Sequence, residues 1–127
     1  MKKRWISMEI ILYSNLGEPQ AFIDSDEGDF IYDLQGRAVS YIYNDDLVYN
    51  FKGQHLGWLE EDVLYDLDGQ IVGSFESKCK CIPTKEMIGS LRENNQELEA
   101  RQEPIHKPKF TKTESYEDLS SFLKSTN

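Results

Sequence analysis

The sequence predicts a mostly β protein of four β-hairpin repeats, about eight short antiparallel strands, related by pseudo-four-fold symmetry. The first observation is a phrase of two apolar residues, a tyrosine, three further residues and a glycine, which occurs at 11–17, 30–36, 47–53 and 63–69. The second is its spacing. The tyrosine and the glycine of one copy are always four residues apart, whereas the interval from each glycine to the tyrosine of the next copy falls from 15 to 13 to 12 residues. Units that recur at a short period bury their apolar faces against their neighbours. We number these copies repeats one to four.

Each phrase is expected to end in a tight turn between two strands. The residue after the tyrosine is short and polar, and it suits a turn start whose side chain accepts nearby backbone N–H groups. The glycine suits a left-handed position that ends a type I turn and begins a bulged strand. The residues to which we assign this structural role are Tyr13, Gly17, Tyr32, Gly36, Tyr49, Gly53, Tyr65 and Gly69. We expect the four tyrosines to pack beside the turns. The alternative is that they form an aromatic ring that binds a ligand.

The strand after each glycine has its own repeating pattern. Small residues lie four positions after the glycines, at Ala21, Ser40, Gly57 and Gly73. Side chains alternate between faces along a strand, so the residues five positions on, including Phe22, Tyr41 and Trp58, should lie on the opposite face. A recurrent small position implies close approach of another group, either crowding at the centre of a ring or room for a tyrosine ring. We expect the hairpins to close on one another, because closure removes exposed strand edges.

Charge divides the chain unevenly. Residues 9–77 hold two basic and fifteen acidic residues, a net charge of −13, whereas the whole chain carries −9. Such a surface repels phosphate backbones, which argues against nucleic acid as a partner. No run approaches the roughly 18 apolar residues of a membrane span. Glu9 interrupts the short apolar run after Lys2-Lys3-Arg4 and the first repeat follows at once, so we expect no cleaved signal peptide.

The two cysteines suggest a compartment. Cys79 and Cys81 are one residue apart, too close for a relaxed structural disulfide. A reducing, cytoplasmic location is therefore the expectation.

The chain after the repeats is expected to form a separate part. We divide the protein into a repeat domain, 1–78, and a helical or extended tail, 79–127, that packs on the repeats or on a partner. Residues 84–101 are expected to form a helix with a sparse apolar stripe, and Pro104 and Pro108 an extended linker. Ser115-Tyr116-Glu117-Asp118 resembles a capping signal before a short amphipathic helix with Leu119, Phe122 and Leu123.

Two stretches carry a wider resemblance. Tyr-Asp-Leu-Gln-Gly-Arg-Ala-Val-Ser-Tyr at 32–41 and Leu-Val-Tyr-Asn-Phe-Lys-Gly-Gln-His-Leu-Gly-Trp at 47–58 resemble the 4-fold beta flower family of small bacterial four-hairpin proteins. The resemblance covers about residues 10–77, departs at Pro19, and implies a fold but no established activity. A weaker likeness, from the Tyr-Asp-x-x-Gly-Arg phrase alone, is to the YD repeats of large toxin shells.

Motifs for chemistry are weak. The acidic loop 24–29 could hold calcium, but its order differs from an EF-hand loop. Paired acids could suit glycoside hydrolysis, yet nothing marks two of them as opposed or desolvated. His55 is best interpreted as a packing residue, and Cys79 and Cys81 with the distant His106 form a poor metal motif. We therefore assign no catalytic, cofactor-binding or metal-binding residue, and an enzyme is not the expectation.

An aromatic face is the main functional candidate. We predict an interaction face of Phe22, Tyr41, Tyr43 and Trp58, since exposed aromatic surface marks partner sites. If the tail covers it, this face is instead a second core. The expected function is a non-enzymatic interaction or structural module that binds another protein, or itself, through this face or the tail helices. The alternative is a small ligand-binding protein or enzyme with a pocket at the repeat axis.

Overall fold

Eight antiparallel strands form one closed barrel in the computed structural model, which describes residues 9–24, 29–79 and 97–124. Each strand pairs with the next in sequence, and the last pairs with the first through Tyr13 with Ser74 and Ser14 with Gly73. The predicted ring closure and four-hairpin fold class are therefore confirmed. The strands are β1 Glu9–Ser14, β2 Pro19–Asp24, β3 Phe30–Asp33, β4 Ala38–Tyr43, β5 Leu47–Asn50, β6 His55–Glu60, β7 Val63–Asp66 and β8 Ile71–Ser74.

The turn inside each repeat has the predicted geometry. In repeat two, the N–H of Gly36 donates to the carbonyl of Asp33 at 2.9 Å, and Asp33 Oδ1 accepts the N–H groups of Gln35 and Arg37 at 3.0 Å each. The same pattern of contacts recurs around Asn50 and Asp66. The four turn glycines have φ between 82° and 91°, the left-handed region that glycine adopts without strain.

A bulge follows in every hairpin. In repeat three, Tyr49 is opposite His55 whereas Val48 is opposite Gly57, so Leu56 is the extra residue. Equivalent register shifts occur in the other three hairpins. A bulge lets two successive side chains point to one side of the sheet. Leu56 therefore joins the same apolar cluster as Val48.

The two faces of the sheet separate as the alternation predicts. The inner cluster takes apolar residues from all eight strands, including Leu12, Ile31, Val48 and Leu64. A second cluster on the outer face collects aromatic residues from neighbouring strands. Its buried members are Phe22, Tyr32, Ala38, Tyr41, Tyr49 and Phe51.

The short helix α1, Leu119–Leu123, packs into the inner cluster with three buried apolar side chains. A Cβ on Gly57 would overlap the carbonyl oxygen of Tyr65 and lie 3.1 Å from Phe122 Cζ. A Cβ on Gly73 would lie 3.2 Å from Leu119 Cδ1. The small residues thus provide room for α1 and for the backbone of the neighbouring strand. This is crowding at the ring centre, the first of the two explanations considered.

Bonds at both ends of α1 tie it to the barrel. Ser40 Oγ donates to the carbonyl of Leu123 at 2.7 Å, and the N–H of Ser120 donates to Gln20 Oε1 at 3.1 Å. The predicted amphipathic helix is confirmed, with Asp118 at its N-cap position but no side-chain capping bond.

Two tail predictions need correction or lie outside the description. Of the helix expected over 84–101, residues 84–96 fall outside the described residues, and 97–101 have no helical structure. Cys79 is disulfide-bonded, contrary to the expectation from the sequence. That expectation rested on the strain of a short loop, which disfavours such a bond without forbidding it.

No helix within the described ranges is long and apolar enough to cross a membrane. The domain division after residue 78 stays a prediction. So does the cytoplasmic location, but the disulfide at Cys79 removes the cysteine argument on which it was based.

Candidate interaction surface

Residues 97–118, here called the strap, cross repeats three and four and reach the end of β4 in repeat two. The strap contains no helix or strand, and none of its residues is buried. Backbone hydrogen bonds attach it to the turns at several points. The N–H groups of Glu99, Gln102 and Thr111 donate to the carbonyls of Phe51, Gly53 and Gly69 at 2.9, 2.8 and 3.0 Å. Ile71 pairs in parallel with Glu114, exchanging bonds with Thr113 and Ser115 at 2.9 and 2.7 Å.

The surface beneath the strap is aromatic. We call it the strap-binding surface and define it as Tyr41, Tyr43, Tyr49, His55, Trp58 and Tyr65. The first five rings contact one another along the sheet, with Tyr41 stacked on Tyr49 at 5.8 Å and His55 edge-on to Trp58 at 4.6 Å. Tyr65 is joined to this row through Phe110 of the strap.

At one end of this surface, tyrosines hold an arginine of the strap. The Arg101 guanidinium carbon lies 3.6 Å from the ring centroid of Tyr43 and 6.0 Å from that of Tyr41. A cation over an aromatic face is attracted by the negative charge density of the ring. Tyr49 adds a backbone contact, since its hydroxyl donates to the carbonyl of Gln102 at 2.9 Å. Burial raises the pKa of Tyr49, so this hydroxyl keeps its proton.

At the centre, His55 fastens the strap through its ring. Nδ1 accepts the N–H of Ile105 at 2.9 Å, and Nε2 lies 2.9 Å from the carbonyl of Gly57. Because Nδ1 accepts, the ring is neutral and its proton lies on Nε2, which donates to Gly57. Burial lowers the pKa of His55, outweighing the hydrogen bond to Gly57 and the charge of Asp46.

At the far end, Phe110 is the aromatic anchor of the strap. Its ring stacks on Tyr65 with centroids 4.0 Å apart and an interplanar angle of 7°. Trp58 contacts the same ring at 5.8 Å. Lys107 pairs with Glu60 at the edge, and its ammonium group lies 5.3 Å from the Phe110 ring centroid. The exposed ion pair contributes little stability, so the rings dominate this contact.

The four residues predicted as an interaction face lie in different environments. Phe22, Tyr41 and Trp58 are 0%, 5% and 2% exposed, whereas Tyr43 is 43% exposed. Phe22 stacks on Tyr32 with centroids 5.4 Å apart and is not part of the strap-binding surface. The other three are brought together beneath the strap. Binding of a partner to these residues stays a prediction.

The turn tyrosines pack rather than form an open ring. Tyr13, Tyr32 and Tyr49 are each 1% exposed, and Tyr65 is half-buried beneath Phe110.

A cavity of about 330 Å³ lies beside His55, lined by Asp66, Asp68, Glu117 and the inner residues Leu56 and Phe122, among others. Burial and the nearby charge of Asp66 raise the pKa of Glu117. Within 9–24, 29–79 and 97–124, no three His, Cys, Asp or Glu side chains are placed to hold a metal ion. The acidic loop proposed for calcium falls mainly at 25–28, outside the described residues.

The closed ring of four bulged hairpins defines a β-repeat barrel of four-fold pseudo-symmetry. The family model of the 4-fold beta flower protein matches residues 10–123, and the chain belongs to this family. The match extends beyond the 10–77 expected from the sequence and includes the strap and α1. Comparison with curated proteins finds no match, and comparison with solved structures finds none.

Sequence reasoning missed Arg101, Ile105 and Phe110 as partners of the barrel. Arg101 is the last residue of the helix that the sequence predicts over 84–101. A signal was present in the run 105–112, which has three lysines, no acid and an aromatic residue, and follows a strongly acidic body. Opposite charge between two parts of a chain is a reason to expect that they dock.

Proposed function

We propose that the protein is a non-enzymatic interaction module that binds another protein through the strap-binding surface. The observation that carries this proposal is a stretch of chain lying entirely on the surface, the strap, held over a row of tyrosines, a histidine and a tryptophan. Tyrosine, tryptophan and arginine are the residues that dominate binding energy at protein interfaces. Tyr43 remains partly exposed at the edge and is the first residue a partner would meet.

The packing of α1 at the ring centre supports this choice over a ligand pocket on the repeat axis. Leu119, Phe122 and Leu123 are 0%, 3% and 1% exposed there. Ser40 and the glycines at 57 and 73 leave room for that helix rather than for a ligand. The cavity of about 330 Å³ lined by Leu56, Phe122 and the acidic residues Asp66, Asp68 and Glu117 is the feature that favours the alternative, a ligand pocket.

A photo-crosslinking residue placed at Tyr43 in the full-length protein tests the proposal in native cell extract. We expect a discrete crosslinked product from position 43. The matched control is the same residue at Tyr116, which is fully exposed but outside the strap-binding surface. Equal products from both positions, or none from position 43, would remove the support for this surface.

A further inference from the structure

Resting on the proposed function, we infer that the strap is an internal ligand and that the partner is a peptide segment of the same chemistry. Such a segment has an arginine, an aromatic residue nine positions later, and lysines beside the aromatic residue, as Arg101, Phe110, Lys107 and Lys109 are arranged here. It displaces the strap and occupies the strap-binding surface in its place.

The two sides of this contact are unequally buried. No residue of the strap is buried, and Leu98 and Ile105 are each 49% exposed. On the barrel side, Tyr49 and Trp58 are 1% and 2% exposed. A segment that contributes no buried residue opens at a lower free energy than the barrel unfolds. Its opening uncovers aromatic side chains suited to recognition.

The middle of the strap has fewer hydrogen bonds to the barrel than its two ends have. Among the described residues between Gln102 and Thr111, the strap backbone N–H that donates to the barrel is that of Ile105, to Nδ1 of His55. The remaining anchors in this stretch are the Phe110 stack, the exposed Lys107–Glu60 pair and the neighbouring Arg101 contact. Each can be made equally well by a second peptide that presents the same groups.

Part of the strap is complementary in charge to the barrel. The run 105–112 carries three lysines and no acid, a formal charge of +3, whereas residues 9–77 carry −13. Glu60 meets Lys107 at this interface, and Asp46 lies near His55. The whole strap has six acidic and four basic residues, a net charge of −2, so the complementarity is confined to the run 105–112. Opposite potentials favour a basic segment at that position and disfavour an acidic one. Because the strap belongs to the same chain as the barrel, it competes at a high effective concentration. A partner segment must bind tightly enough, or be concentrated enough, to displace it.

The test uses the full-length protein and a labelled synthetic peptide of residues 97–115, with binding followed by fluorescence anisotropy. Weakening the internal strap should strengthen binding of the added peptide, because the two compete for one surface. We expect Arg101→Ala and Phe110→Ala in the protein each to tighten peptide binding about tenfold, the effect of losing one interface anchor. Because Arg101 is exposed, the Arg101→Ala protein should keep its fold. It therefore provides the test even if the Phe110→Ala protein does not fold.

Two controls separate competition from general loosening. Tyr43 also holds Arg101 of the internal strap, so its contribution is measured in the Arg101→Ala protein, where that internal contact is absent. There, the further change Tyr43→Ala should weaken binding of the same peptide, and Tyr116→Ala should leave it unchanged. A peptide with alanine at both anchor positions should not bind. A peptide affinity that strap variants leave unchanged, or lower, would overturn the inference.

The remaining outcomes also decide the question. Concentration-dependent dimers of the Arg101→Ala protein in size-exclusion chromatography would assign the surface to the strap of a second copy and overturn the partner assignment. Failure of the peptide together with a specific crosslink at position 43 would overturn this inference while leaving the proposed function standing. Failure of both would remove the two proposals.

Discussion

The backbone N–H of Ile105 donates a hydrogen bond to Nδ1 of His55 at 2.9 Å, joining residues 50 positions apart. The other ring nitrogen lies 2.9 Å from the carbonyl of Gly57. Both nitrogens are therefore used, and the contact requires a neutral ring. Protonation of Nδ1 would replace an acceptor by a second donor facing the N–H of Ile105, which makes this contact sensitive to pH.

Stability should fall as the pH falls below about 6.5, the ordinary pKa of histidine, because the pKa of His55 is lowered in the folded protein. Between the two pKa values the unfolded chain binds more protons than the folded one, so acid favours unfolding. The stabilisation is complete above the unfolded pKa and is lost as the pH falls to the folded pKa. The groups near His55 are Asp46, Tyr49, Asp66, Asp68 and Glu117.

Urea unfolding of wild type and His55→Asn between pH 5 and pH 8 measures this effect. The asparagine Oδ1 can still accept the N–H of Ile105 but does not titrate, so the difference between the two proteins should shrink or reverse in acid. His106→Asn is the control, because His106 is exposed on the strap. Parallel pH curves for wild type and His55→Asn would show that the ring does not titrate as described.

Gly57→Ala should destabilise the barrel by about 1–3 kcal/mol or more, the range for overpacking a close-packed core. The added methyl group would overlap the backbone carbonyl of Tyr65, which cannot move without disturbing the β6–β7 pairing. Gly73→Ala should cost less, since its Cβ would lie 2.7 Å from the carbonyl of Tyr13. Thermal melts of both variants provide the comparison, and an unchanged melting temperature for Gly57→Ala would exclude the close approach.

Phe122→Ala should cost about 3–5 kcal/mol, because it removes a buried ring and leaves a cavity at the ring centre. Phe122 is 3% exposed and packs in the inner cluster. Ser121→Ala is the control on the same helix, since Ser121 is exposed. Chemical denaturation measures both. Similar midpoints for the two variants would mean that α1 does not complete the core.

Glu61→Asn should stabilise the protein by about 0.5–1 kcal/mol, since asparagine tolerates the left-handed region better than glutamate. Glu61 has φ 52° in the β6–β7 turn, where Asp62 has φ 69°. The β4–β5 turn already has an asparagine, Asn44, at φ 59°. The reverse change Asn44→Glu should therefore destabilise by a similar amount. Changes of the same sign in both unfolding experiments would contradict this explanation.

The turns show how much of the fold is encoded locally. Asp33 and Gly36 are three residues apart, and their side-chain and backbone preferences alone specify the turn between them. The four-fold repetition of that unit predicted that the hairpins close into a ring, because an unpaired strand edge is unfavourable. The face on which Phe22 and Trp58 lie followed from strand alternation.

The strap shows where local reasoning ends. The spacing of Glu97 and Arg101 is compatible with a helix, yet Arg101 lies over Tyr43, 58 positions earlier. The preference of a short helix is weak, and contacts with the aromatic rings outweigh it. Nothing within a few residues of Arg101 indicates that those rings are near.

The chain by itself determined the four turns, the hairpins and the separation of apolar from aromatic faces, because each depends on preferences expressed within a few residues. Only the tertiary structure decided that α1 fills the ring and that the strap covers Tyr49 and Trp58. Those contacts join distant parts of the chain, as Ser40 and Leu123 do across 83 positions. An amphipathic pattern specifies that a face is buried, but the geometry of the closed barrel specifies what buries it.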